Sequence, residues 1–143
     1  QKSLVCEIDG RKVYSRPEDF LPVLKPLFEE FPGQEQMRVI FLNHRNKPIG
    51  MQLVTVGTAT ASLAHPREVF RGAIVAGATS IVISHNHPSG DPQPSGADFN
   101  VTRQLREAGN LLGISLLDHI VIGEPENDPN GKGFYSFREA GLV

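Results

Sequence analysis

The sequence predicts an α/β domain in which a mixed central sheet is flanked by helices, and three observations carry that expectation. From Glu35 onward, short apolar runs of strand character alternate with stretches of helical periodicity. Thr79 to Ser84, centred on Ile81-Val82-Ile83, reads as a strand covered on both faces. The chain has 143 residues, 39% apolar and 21% charged, which suits one compact domain able to bury a core without staples.

The elements follow in order. Leu4 to Tyr14 reads as a hairpin, with Asp9-Gly10 supplying residues that tolerate positive φ in a tight turn. Pro17 suits the first turn of a helix, and Glu18 and Asp19 stand at its positive end. Phe20, Leu24, Leu27 and Phe31 form an apolar stripe there, while Pro22 and Pro26 should bend or divide the helix and Pro32-Gly33 end it. Residues 1–33 are therefore expected to form an accessory segment on a core of residues 34–143. In that core, Met37 to Leu42 is a strand, Asn43 to Pro48 a polar turn, and Ile49 to Val56 a returning strand that ends at Gly57. Pro66 opens a helix whose expected buried face is Val69, Ala73 and Ile74, closing near Gly77. After the Thr79–Ser84 strand and a Pro/Gly-rich loop, Val101, Leu105, Ala108 and Leu112 mark another helix. Ser115 to Ile122 is a strand, 127–131 a surface turn, and Phe134 to Phe137 a last short strand.

Charge and cysteine content narrow the function classes. The net charge of -2 offers no bulk attraction to nucleic acid or anionic membrane. No apolar run approaches the roughly 20 residues needed to span a bilayer. Cys6 is the single cysteine, so a disulfide or Cys-rich metal cluster within the chain is excluded, and a reducing, cytoplasmic setting is expected. The chain begins at Gln1 rather than Met, as a piece of a longer protein would.

The chemistry concentrates in the run His85-Asn86-His87-Pro88-Ser89-Gly90-Asp91-Pro92-Gln93-Pro94-Ser95-Gly96-Ala97-Asp98. His85 and His87 are two apart at the end of an extended strand, so both imidazoles face one side. Imidazole suits zinc, and Asp98 makes a carboxylate third ligand; three protein ligands with one open position is the catalytic arrangement. Ser95-x-x-Asp98 ahead of an apolar helix is also a capping box, and helix capping alone explains those two residues. The two roles are compatible.

His85-x-His87-Pro88, seven residues from Pro88 to Pro94, then Ser95-x-x-Asp98 resembles the metal motif of the JAB/MPN (JAMM) metalloprotease superfamily. The wider string Ser84 to Asp91, with Leu117-Asp118-His119-Ile120-Val121-Ile122-Gly123, His65-Pro66-Arg67-Glu68-Val69-Phe70 and Tyr135 to Leu142, resembles its bacterial RadC branch. The resemblance spans roughly Glu35 to Val143. It implies a JAB/MPN-like, cytidine-deaminase-like three-layer fold, with one zinc per chain on His85, His87 and Asp98 and water in the fourth position. It also implies that Ser95 helps stabilise a tetrahedral intermediate, and that a glutamate of an early strand, matched by Glu35, acts as general base. Glu68 is the rival for that role, although an acid in the first turn of a helix needs no further explanation. His119 is either a support for a metal ligand or a hydrogen-bonded core histidine. Asn86 and Ser89 are expected to orient the loop or contact substrate. Arg67, Arg71, Arg103 and Arg106 read as solvated helix charge or a basic surface.

These expectations lead to a zinc-dependent hydrolase of peptide, isopeptide or other amide bonds, acting on a protein or peptide substrate. The alternative is a DNA-repair-associated accessory or DNA-binding module; the short region before Glu35 does not read as the helix-hairpin-helix module that RadC-type proteins commonly carry. A zinc deaminase is disfavoured because the H-x-E and P-C-x-x-C signature is absent. A metal-free scaffold ranks below the hydrolase because every ligand residue is present.

Overall fold

The computed structural model describes residues 12–57 and 65–143. The hairpin expected over Leu4 to Tyr14 lies outside them except for its last three residues. Among the described residues the elements run α1 (Pro17–Phe28), β1 (Glu35–Leu42), β2 (Pro48–Gly57), α2 (Pro66–Ala76), β3 (Ser80–Asn86), α3 (Gly96–Leu112), β4 (Ser115–Ile122), a 3-10 turn (Pro125–Asn127) and β5 (Phe134–Ser136). The strands form one five-stranded sheet in the order β2-β1-β3-β4-β5. Among the described strands only β3 and β4 are parallel, with α3 as their crossover; the other pairs are antiparallel. This is the predicted mixed sheet.

Side-chain alternation divides the core into two layers. Met37, Val39 and Phe41 of β1 join Ile81 and Ile83 of β3 under α2 and α3. Ile40 and Leu42 of β1 and Val82 of β3 face the opposite side, with Phe20, Leu24 and Phe28 of α1. The period of two in a strand produces this split. Burying each such Phe or Leu is worth about 1.5–3 kcal/mol relative to exposure. No helix among the described residues is long and apolar enough to cross a membrane.

Expectations about all three helices need correction. α1 is one continuous helix of 12 residues, although it contains Pro22 and Pro26. Both prolines are exposed, as is Glu18. The carbonyls of Glu18 and Pro22, which lose their intrahelical partners, therefore lie on the solvated side, and packing of the opposite face keeps the helix whole. Its inner stripe is Phe20, Leu24 and Phe28, whereas Phe31 lies beyond the helix end and is 36% exposed. In α2 the third buried residue is Phe70, and Ile74 is 58% exposed. In α3, Leu112 is 50% exposed as well, and Gly109 is the last buried residue of the helix.

α1 is tied to β1 by polar side chains as well as by packing. Gln36 Nε2 donates to the Phe28 carbonyl at 2.8 Å, and Arg38 Nη2 donates to the Leu27 carbonyl at 3.3 Å. Both carbonyls lie in the last turn of α1, where intrahelical partners run out, and that of Leu27 also accepts from the Glu30 N–H at 3.1 Å. Arg38 also pairs with Glu30 at 3.0 Å. The segment before β1 is thereby held against the strand that begins with Glu35.

Candidate metal centre

The centre is built where β1, β3 and α3 meet. β3 extends through Asn86, so His85 lies inside the strand rather than past its end, on the same face as Ile81 and Ile83. The antiparallel register pairs Met37 with His85, which carries Glu35 alongside His87 on that face. α3 covers the same face and presents Asp98 from its first turn.

The ligand-type atoms converge closely. His85 Nε2 and His87 Nε2 are 3.1 Å apart. Asp98 Oδ1 lies 3.1 Å from His85 Nε2, and Asp98 Oδ2 lies 3.1 Å from His87 Nε2. Glu35 Oε2 stands 3.8 Å from His85 Nε2, and Glu35, His85 and His87 each offer an atom within 4.8 Å of the others. These three residues form a candidate metal-binding group, with the Asp98 carboxylate against both imidazoles. The side chains of His85 and Asp98 are buried, while those of His87 and Glu35 are 18% and 19% exposed. Solvent thus reaches the cluster from the side of His87 and Glu35.

Asp98 caps its helix, as its sequence context offered, and at the same time faces the two histidines. Ser95 Oγ accepts from the Asp98 N–H at 3.2 Å, and Asp98 Oδ2 accepts from the Ser95 N–H at 2.8 Å, completing the capping box. The cap turns the carboxylate toward the two histidines. Glu68 lies elsewhere: its carboxylate pairs with Arg71 on α2 at 3.2 Å, half exposed.

Hydrogen-bond bookkeeping shows that the donor set fits a cation. His87 Nδ1 lies 2.9 Å from the Asp91 carbonyl, which can only accept, so the ring carries its proton there. Its Nε2 then presents a lone pair to the Asp98 carboxylate, another acceptor. Two acceptors in contact need a cation between them, whether an added proton or a metal ion. The titration tendencies express the same demand. Burial disfavours a charged His87, but Asp98, the Asp91 carbonyl and Glu35 outweigh it and raise its pKa. Burial likewise opposes ionisation of Asp98, yet its contacts with His85 and His87 hold it far below the usual carboxylate range. Glu35 is pushed up by burial, with partial relief from the two histidines.

Asn86 and His119 are both expected to play supporting parts, but their partners escaped the sequence. Asn86 Oδ1 accepts from the Gln36 N–H at 2.7 Å, and Asn86 Nδ2 donates to the Gln34 carbonyl at 3.1 Å. One side chain thus clamps the backbone on both sides of Glu35. Its partners are 50 and 52 residues away in sequence, so no local pattern announces them. His119 is fully buried, 2.8 Å from His85 Nδ1 through its Nε2 and 2.6 Å from Thr102 Oγ1 through its Nδ1. Phe137 stacks on it with ring centroids 4.6 Å apart. Burial, then the neighbouring His85, pushes its pKa well down, so the ring is neutral. Thr102 follows Asp98 by one helical turn, a spacing that could have drawn attention to it.

A cleft of 210 Å³ opens beside His87 and Asn86, walled by Phe28 and Pro32 on one side and Pro88 and Gly90 on the other. Gly90 sits at φ 92°, and a Cβ there would meet the Asn127 side chain. A larger cavity of 420 Å³ beside α3 is lined by Phe99, Arg103, Arg106 and Phe137, but by none of the four converging residues.

Known proteins match this chain closely. The profile of the RadC-like JAB domain matches residues 14–142, which takes in α1 as well as the sheet. The UPF0758 protein TTE0897 of Caldanaerobacter subterraneus subsp. tengcongensis is 46% identical over 124 residues, covering 85% of this chain and 52% of that protein. The UPF0758 protein STH371 of Symbiobacterium thermophilum is 50% identical over 109 residues, 76% of this chain and 44% of its own length. The UPF0758 protein lmo1549 of Listeria monocytogenes is 51% identical over 108 residues, 76% of this chain and 48% of its own length. The chain spans about half the length of these curated relatives. With a family match over nearly its whole length and a sheet, helices and histidine cluster in agreement, this chain belongs to the RadC-like JAB domain family.

Proposed function

We propose that this domain is a zinc-dependent hydrolase of amide bonds, with peptide or isopeptide bonds as the substrate class. The observation that carries the proposal is the acceptor-rich convergence of His85, His87 and Asp98 with Glu35 on its open side. His85, His87 and Asp98 are the residues that hold the ion. Their two imidazoles and one carboxylate form the donor set of catalytic zinc sites. Zinc, when bound, supplies Lewis acidity at neutral pH.

The remaining roles belong to the chain's own groups. Glu35 takes the proton of the attacking water and delivers it to the leaving nitrogen. Its position at the exposed edge of the cluster and its raised proton affinity both suit a base that must work near neutrality. Asp98 is the better ligand of the two acids, because it is buried and touches both imidazoles at 3.1 Å, whereas Glu35 stands 3.8 Å from His85. Ser95 Oγ accepts from the Asp98 N–H, which leaves its own proton to offer to the oxyanion of a tetrahedral intermediate. Substrate enters through the cleft beside His87.

Glu35→Gln tests the assignment. The variant is expected to keep about one zinc per chain and to lose hydrolysis by at least about a thousandfold across a panel of peptide and isopeptide substrates, the upper part of what a general base contributes. Hydrolysis at the wild-type rate in Glu35→Gln would overturn the role given to Glu35.

A further inference from the structure

The buried contacts behind His85 have a direction. Thr102 Oγ1 lies 2.8 Å from the Asp98 carbonyl and 2.6 Å from His119 Nδ1, and His119 Nε2 lies 2.8 Å from His85 Nδ1. A threonine hydroxyl has one proton, and a neutral imidazole has one N–H. The Asp98 carbonyl can only accept, so the Thr102 proton belongs to it. The short contact to His119 must then be made by a proton on His119 Nδ1. That leaves His119 Nε2 as an acceptor, and His85 fills it with its own Nδ1–H. The opposite ordering would set the Thr102 lone pairs against those of the Asp98 carbonyl at 2.8 Å. It would also place a proton on His85 Nε2, the atom that faces His87 and Asp98.

We propose that Thr102 is a positioning residue that, through His119, fixes His85 in the tautomer whose Nε2 lone pair is open to a metal ion. The inference rests on the zinc-site reading above and adds residues on α3 and β4 to it. Thr102 is 4% exposed, on the wall of the cavity beside α3, while His119 and His85 behind it are 0% exposed. The chain of contacts begins on the backbone of Asp98 and ends on the ring of His85, two residues whose side chains meet at 3.1 Å. The first turn of α3 and the end of β3 are thereby locked into one proton arrangement.

The test uses zinc alone as probe, with Thr102→Val and Thr102→Ser in the full chain. Valine matches threonine in shape but cannot accept from His119 Nδ1–H. His119 should then move its proton to Nε2, forcing His85 to carry its proton on Nε2. Zinc affinity, measured by competition with a chromophoric chelator, is expected to fall roughly tenfold to a hundredfold in Thr102→Val and to recover in Thr102→Ser. Nitrogen-15 NMR of the metal-free protein should show His119 protonated on Nδ1 in the wild type and on Nε2 in Thr102→Val. Wild-type His119 protonated on Nε2 overturns the inference without any variant, and so does unchanged zinc affinity in a folded Thr102→Val. If the wild type takes up no zinc, the proposed function fails, and the metal-free spectra alone then decide the tautomer.

Discussion

Asn86 sits between the two histidines of the motif, yet its side chain turns away from them to the backbone flanking Glu35. Its carboxamide accepts from Gln36 N–H and donates to the Gln34 carbonyl. A hydrogen bond of this kind is worth about 1 kcal/mol net, and more when its loss leaves a buried partner unpaired. Asn86→Ala should therefore loosen the start of β1 locally without unfolding the sheet. The expected outcome is amide exchange at Gln36 faster by roughly tenfold, with protection in the middle of β1 unchanged. Unchanged protection at Gln36 would mean that Asn86 does not hold this strand end. Legibility at this scale was uneven. His85 and His87 could be read from their spacing, because residues two apart in a strand share a face. Asp98 could be read as a cap and, through the family resemblance, as a ligand. The clamp by Asn86 depends on which strands neighbour one another, and the contact between Thr102 and His119 on how α3 lies against β4; local spacing points to Thr102 but not to its partner.

At the scale of elements, β4 is joined to β5 and the tail by a second buried acid. Asp118 Oδ1 accepts from the N–H groups of His119 and Arg138, and Asp118 Oδ2 accepts from Ser136 Oγ. Burial nevertheless dominates these bonds and pushes its pKa up to about 6 from 3.8. A carboxyl with a raised native pKa stabilises the fold fully below the unfolded value, and that contribution is lost as the pH rises through the native one. Wild type should accordingly lose on the order of 2–3 kcal/mol relative to Asp118→Asn between pH 4 and pH 7. Asparagine can keep the pattern, with Oδ1 accepting both N–H groups and Nδ2 donating to Ser136. Denaturant melts at several pH values read this difference directly. Parallel stability curves for the two proteins would contradict it. The helices show what periodicity alone misjudges. Pro22 and Pro26 suggested a broken α1, but both lie on its solvated face. Phe31 suggested a longer stripe, but Pro32-Gly33 follow too soon, and Phe28 takes the buried place.

Across the whole molecule, the two sides of the sheet do different work. The α1 side closes on Phe20, Leu24 and Phe28, with Gln36 and Arg38 as its buried polar ties to the last turn of α1. The α3 side is apolar through Leu105, Val101 and Met37 and then becomes polar at the end of β3, where the cluster gathers. The fold class was legible because alternation and helical periodicity follow from local geometry, which the sequence carries directly. The order β2-β1-β3-β4-β5, which brings Glu35 beside His87, is a long-range pairing and came into view only with the structure. The central claim, that this convergence exists to hold a metal ion, is tested most directly by metal content. Wild type and Asp98→Ala should be purified without chelators, reconstituted with zinc, desalted and assayed by mass spectrometry of the elements. About one zinc per chain in the wild type, with loss of most of it in a folded Asp98→Ala, is the predicted result. Wild-type protein that retains no zinc, or Asp98→Ala that retains as much as wild type, would contradict it.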